Sequence, residues 1–144
     1  MTKIAFVFPG QGSQYVGMGK GLYDNFEVAK ETFKSASDVL GYDVAKLSFY
    51  GPKEELDKTF RTQPCILTVS IAALRVLQSK GIRPVVLAGH SLGEYSAVVA
   101  GGSISFEDAV RLTEQRGRLM QELIPESKGL MAAIIGLDKS SVFE

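Results

Sequence analysis

Four apolar residues, Val85-Val86-Leu87-Ala88, run without a break into Gly89-His90-Ser91-Leu92-Gly93 and then into helix-compatible Glu94-Tyr95-Ser96-Ala97. This is the pattern G-x-S-x-G set between a strand and a helix, and no other segment constrains the fold as tightly. The turn has to be sharp. Strand and helix therefore crowd together around a strained serine, and a Cβ at either flanking glycine would clash. The serine hydroxyl is carried at a helix N-terminus, where the helix dipole and free N–H groups, that of Leu92 among them, favour the oxyanion formed in acyl transfer. Five residues can match by accident in a chain with 15 glycines. The flanking strand and helix are what make Ser91 a candidate nucleophile.

A strand feeding such a turn needs neighbours. Residues 4–8 form a second continuous apolar run, and both runs read as strands buried on both faces, the pattern of parallel strands covered by helices. Phe26, Ala29, Phe33, Ala36 and Leu40 step by three and four, an amphipathic helix closed by Gly41. From Pro64 to Gln78 the sequence is apolar almost all round, with proline near the first turn and Gly81 just past the end, as in a helix packed inside the domain. A further helix is expected from Ser105, where Ser105-Phe106-Glu107-Asp108 resembles a capping box, to about Leu123 before Pro125. Gly129 to Ile135 reads as one more strand. This order predicts an α/β fold with a parallel sheet.

Composition narrows the function classes. The 144 residues make one domain of ordinary globular composition, 45% hydrophobic and 22% charged. Sixteen basic residues balance sixteen acidic ones, so no global field points to nucleic acid or an anionic membrane, and an anion site has to be local. One cysteine, Cys65, and one histidine, His90, cannot supply a metal ligand set. The N-terminal apolar run is too short for a signal peptide, and nothing approaches the roughly 20 apolar residues that span a bilayer. A soluble, cytoplasmic protein is expected.

Three further residues bear on chemistry. On the helix from Ser105, Ala109, Leu112, Leu119, Met120 and Leu123 fall on one face of the wheel, with Arg116 near its middle. A guanidinium in an inward stripe is costly unless acceptors meet it. It is a structural ion pair, a side chain that snorkels to the rim, or a bidentate clamp for a substrate carboxylate. His90 is adjacent to Ser91 along the strand end and points elsewhere, so a supporting hydrogen bond suits it better than the role of base. The loop Pro9-Gly10-Gln11-Gly12-Ser13-Gln14 leaves the carboxyl end of the first strand, as the serine turn leaves the second. Gln11 could then donate a second oxyanion hydrogen bond, or the loop is only a turn. It lacks the G-x-x-x-x-G-K-[ST] phosphate pattern.

Together these segments resemble the malonyl-CoA:acyl carrier protein transacylases, the stand-alone bacterial enzymes of fatty acid synthesis. Phe8 to Gln14, Thr62-Gln63-Pro64, Gly89 to Tyr95, Arg111-Leu112 through Arg116-Gly117, and Met131 to Leu137 carry the likeness, in order and at family spacing. The resemblance implies that Ser91 takes the malonyl group from coenzyme A and passes it to acyl carrier protein. Backbone N–H groups of Gln11 and Leu92 would form the oxyanion hole, Arg116 would grip the malonyl carboxylate, and Gln63 would line the pocket. No permanently bound cofactor is implied, and malonyl-CoA is the substrate. Leu92 and the start at Met1 fit a free-standing fatty-acid enzyme rather than a polyketide module. Family members run to roughly twice this length, with the base histidine beyond Glu144. The expected fold is thus an incomplete parallel-sheet, hydrolase-like acyltransferase subdomain over residues 1–128. It would end in the first strand of a small ferredoxin-like subdomain begun by residues 129–144, with an exposed sheet edge awaiting a missing C-terminal half. A serine hydrolase with the same elbow, or an inactive fragment that only binds a carrier protein, are the other readings.

Overall fold

The computed structural model describes residues 3–123 and 134–142. In it the two apolar runs are strands β1 (Ala5–Phe8) and β2 (Val86–Gly89). They pair in parallel, in register from Ala5 opposite Val86 to Phe8 opposite Gly89. Alternation along a strand sends Phe6, Phe8 and Leu87 to one face, where they join the core. The other face is open: Val7 is 73% exposed and Val86 56%. Burial on both faces, expected from the continuous apolar runs, is therefore corrected. An apolar run says that both faces can be covered, and only one is covered by the described residues.

The covering layer is helical. Helix α1 (Lys20–Asn25) leads into α2 (Glu27–Leu40), whose Ala29, Phe33 and Ala36 are buried as the stepping pattern requires. Gly41 ends α2 in the left-handed region at φ 71°. Two short helices that periodicity does not single out follow, α3 (Val44–Tyr50), capped by the Asp43 carboxylate on the Lys46 N–H, and α4 (Lys53–Leu56). Tyr23, Phe33 and Phe49 pack edge-on or tilted at 5.0–5.7 Å between ring centroids, tying α1, α2 and α3 together.

The all-round apolar helix is α5 (Thr59–Ser79). It starts five residues before Pro64, so the proline sits inside the second turn rather than the first, a correction to its expected start. Twelve of its side chains are buried, among them Gln63, Cys65, Leu67 and Ile71. Its end is a Schellman turn in which the Ile82 N–H reaches the Leu77 carbonyl at 3.1 Å, with Gly81 at φ 77°.

After β2 come α6 (Gly93–Ala100) and α7 (Phe106–Leu123). Ser105 caps α7: its hydroxyl accepts from the Asp108 N–H at 3.0 Å and donates to the Asp108 carboxylate at 2.7 Å, a hydroxyl-centred variant of the expected capping box. The inward face of α7 differs from the expected one. Phe106, Ala109, Val110, Thr113 and Gly117 are buried, whereas Leu112, Leu119, Met120 and Leu123 are exposed. At about 100° per residue, Arg116 lies about 80° from the centre of the buried stripe, at its edge rather than among inward residues.

The strand expected over Gly129 to Ile135 lies mostly outside the described residues. Ile134 and Ile135 are not in a strand, and the one-turn helix α8 (Lys139–Val142) follows. No described helix is long and apolar enough to cross a membrane.

Candidate functional site

Ser91 sits at φ 52°, the one non-glycine residue with positive φ among those described. The turn around it is closed by three backbone bonds, from His90 N–H to Phe8 O at 3.1 Å, Gly93 N–H to His90 O at 2.9 Å and Glu94 N–H to Ser91 O at 3.1 Å. Both flanking glycines are required. A Cβ on Gly89 would lie 2.1 Å from the Gly93 carbonyl carbon, and one on Gly93 would lie 2.2 Å from Phe8 O. The strand–turn–helix geometry expected from the sequence is present, and it leaves the Ser91 side chain exposed beside the start of α6.

Helix α7 brings Arg116 to this turn. Its Nη2 donates to Ser91 Oγ at 3.2 Å, and its Nη1 donates to Gln63 Oε1 on α5 at 2.6 Å. The guanidinium carbon stands 5.9 Å from the centroid of the Tyr95 ring. Among the described residues Arg116 forms no ion pair, whereas Arg61, Arg111 and Arg118 each have a carboxylate partner. A permanently charged group held by neutral acceptors next to an exposed hydroxyl is a ready counter-ion for an anion that reaches the hydroxyl. The structural ion pair weighed for Arg116 is absent among the described residues.

Gly117 is what lets α7 come this close. A Cβ there would fall 2.5 Å from Phe60 Cα, so the helix backbones touch one turn from Gln63. Gln63, weighed only as a pocket-lining residue, proves fully buried and bonded to Arg116. Its partner lies 53 positions away, and no local pattern signals such a pairing.

The loop after β1 reaches the same turn. A Cβ on Gly10 would lie 2.6 Å from His90 O and 2.8 Å from His90 Nδ1. The His90 ring is thus turned toward Gly10, and no hydrogen bond joins it to Ser91 among the described residues. Side chains within the loop hold its shape: Gly12 N–H donates to Gln14 Oε1 at 2.8 Å, and Ser13 Oγ donates to Gly10 O at 2.8 Å. Gln14 Nε2 anchors the loop to Asp57 at 3.0 Å, and that bond, with the Lys53 ammonium, holds the Asp57 carboxyl below its usual range. The Gln11 side-chain amide donates to Thr59 Oγ1 at 3.2 Å, which holds the side chain toward the start of α5. The Leu92 side chain is buried, and its N–H belongs to the first turn entering α6.

Cys65 is not a competing nucleophile. It is buried inside α5, and burial pushes its thiol up to about 11, where the thiolate is scarce at neutral pH. No group of three or more His, Cys, Asp or Glu that could hold a metal is found among the described residues.

An acyl transferase domain family model matches residues 5–141. The chain is 57% identical over 143 residues to a malonyl CoA-acyl carrier protein transacylase of Escherichia coli, covering 99% of this chain and 46% of that protein. It is 50% identical over 142 residues to one of Bacillus subtilis, covering 99% and 45%. Among solved structures, an acyl carrier protein S-malonyltransferase from Vibrio cholerae matches with a TM-score of 0.90 at 54% identity, over 98% of this chain and 46% of that one. A malonyl-transacylase in complex with a type II polyketide acyl-carrier protein matches at 0.91 and 55%, with the same coverage. The chain spans about half the length of the curated relatives it matches.

Proposed function

The chain belongs to the acyl transferase domain family, and from that premise we propose that it is the nucleophile-bearing part of a malonyl-CoA:acyl carrier protein transacylase. The observation that carries the proposal is the 3.2 Å contact between Ser91 Oγ and Arg116 Nη2, made by a guanidinium with no described acid partner. A malonyl group esterified to Ser91 would place its free carboxylate within a few ångströms of Oγ, where the guanidinium fork stands.

In the first half-reaction Ser91 Oγ attacks the thioester carbonyl carbon. The Oγ–C bond forms, the C–S bond breaks, and coenzyme A leaves as its thiol with the proton lost by the hydroxyl. In the second, the phosphopantetheine thiol of acyl carrier protein attacks the malonyl-serine ester, the C–O bond breaks, and Ser91 regains its proton. The backbone N–H groups of Gln11 and Leu92 would hold the oxyanion in both steps, helped by the positive end of α6. His90 is turned toward Gly10, which supports a base supplied from outside this chain. In this reading residues 1–128 belong to the larger, hydrolase-like subdomain and residues 129–144 open a small ferredoxin-like one. The reaction, which uses a coenzyme A thioester and a carrier protein, belongs in the cytoplasm.

Labelling with radioactive malonyl-CoA at full encoded length tests the nucleophile: Ser91→Ala abolishes the label, and a label that survives removes the proposal. Arg116→Ala tests the clamp. Malonyl transfer should fall about 100-fold, as for loss of a charge-assisted pair, and acetyl transfer far less. Equal losses on the two acyl groups point instead to a serine hydrolase-like site with a structural arginine. Binding of acyl carrier protein without any acylation identifies an inert fragment.

A further inference from the structure

Gln63 is a neutral amide, fully buried at the α5–α7 contact, with each end spoken for. Its Oε1 accepts from Arg116 Nη1 at 2.6 Å, and its Nε2 donates to Met120 Sδ at 3.5 Å. A guanidinium can only donate and a thioether can only accept, so one orientation of the amide satisfies both contacts. Flipping it would set its NH₂ against the guanidinium N–H groups and its oxygen against sulfur. Arg116 and Met120 are four residues apart and so stack on one face of α7, where a single side chain from α5 spans both.

We infer that Gln63 is a positioning residue that aims the Arg116 guanidinium at the acyl carboxylate without neutralising it, and that Met120 fixes the sense of the Gln63 amide. This rests on the reading of Arg116 as the carboxylate clamp. A carboxylate in place of the amide would hold the guanidinium as firmly and would also occupy its charge, in direct competition with the substrate. An apolar side chain would leave the charge free and the fork unaimed. A neutral amide does both jobs, with Gly117 providing the close backbone approach that brings it within reach.

The test is the ratio of kcat/KM for malonyl-CoA to that for acetyl-CoA, measured on one preparation at full encoded length. A partly misfolded variant lowers both values together and leaves the ratio untouched. Gln63→Met keeps the length of the side chain and removes the acceptor. It should lower the ratio about tenfold, the loss lying in KM for malonyl-CoA. Gln63→Glu should lower it further, about 100-fold, because the new carboxylate takes the guanidinium for itself. Met120→Leu, which removes only the weak acceptor, should lower it a few-fold. Ratios in both Gln63 variants within twofold of the parent mean that Gln63 merely fills space, and the inference fails. A larger drop for Gln63→Met than for Gln63→Glu also overturns it, since competition for the charge would then be unimportant and a neutral residue would not be what the site needs. Arg116→Ala in the same series separates the two claims. If it leaves the ratio intact, the clamp itself is wrong; if it collapses the ratio and the Gln63 variants do not, only the positioning role is lost.

Discussion

Gly93 has no room for a methyl group, because Phe8 O and Pro9 O, both backbone atoms, would lie 2.2 and 2.9 Å from it. Neither can give way without opening the β1–β2 pairing that presents Ser91. Gly93→Ala should therefore cost about 2–3 kcal/mol in urea unfolding and abolish acylation of Ser91. Gly21, inside α1 and facing open space, provides the contrast. Gly21→Ala should raise stability by up to about 1 kcal/mol, and a Gly93→Ala chain as stable as the parent would show that the elbow relaxes. The elbow is legible in sequence because its strand, serine turn and helix start lie within about ten consecutive residues, whereas the atoms at the end of β1 packed against it, Phe8 O and Pro9 O, lie about 80 positions away and carry no such signal. Arg116 was legible as an anomaly but not in its position. The wheel weights Leu112 and Leu119 as inward, while the buried face includes Thr113 and Gly117, residues with little apolar signal, and Gly117 meets α5 at Phe60.

Helix α7 docks its first turn on α2 and α5 through a small polar node. The Ser35 hydroxyl of α2 donates to the Glu107 carboxylate at 2.6 Å, while Arg75 of α5 donates to Thr32 Oγ1 at 2.9 Å and lies 4.9 Å from the centroid of the Phe106 ring. The Ser35 bond, then the Glu107 backbone N–H and the Arg75 charge, hold the Glu107 carboxyl below its ordinary range. A carboxyl depressed in the folded state adds stability above its unfolded pKa of about 4.3 and loses it as pH falls through the folded value. Glu107→Gln should therefore be less stable than the parent at pH 7, by no more than about 1 kcal/mol at this half-exposed position. The gap should close as pH falls below about 4. A gap that stays constant between pH 7 and pH 3, followed by thermal unfolding, would show that the node contributes shape rather than charge. Among elements, α2, α5, α7 and both strands announce themselves by period or apolar run. The helices α1, α3 and α4 span 4–7 residues, too few turns for a periodic pattern to stand out.

The described chain leaves a sheet of two strands with one apolar face in solvent. Val7 and Val86 are more than half exposed, and Ala5 and Ala88 share that face. The apolar runs predict strands and form them, and the open face occurs in a chain that spans about half the length of its curated relatives. A contiguous apolar sheet face with unpaired strand edges is a site for self-association. The 144-residue chain on its own should bind a hydrophobic dye such as ANS and form concentration-dependent oligomers in sedimentation velocity. Replacing Val7 by Thr and Val86 by Lys keeps β1 compatible with a strand and places a charge on the face. The double variant should lose most of the dye binding and sediment as a monomer, with far-UV circular dichroism unchanged, because neither side chain belongs to the core that α5 and α6 build on the other face. Self-association as strong as the parent's would clear the sheet and shift the cause to the exposed strip of α7 at Leu112, Leu119 and Leu123. The same substitutions at full encoded length should have the opposite effect on stability, lowering it by about 2 kcal/mol or more if the additional chain buries this face, since a lysine would then be trapped without a partner.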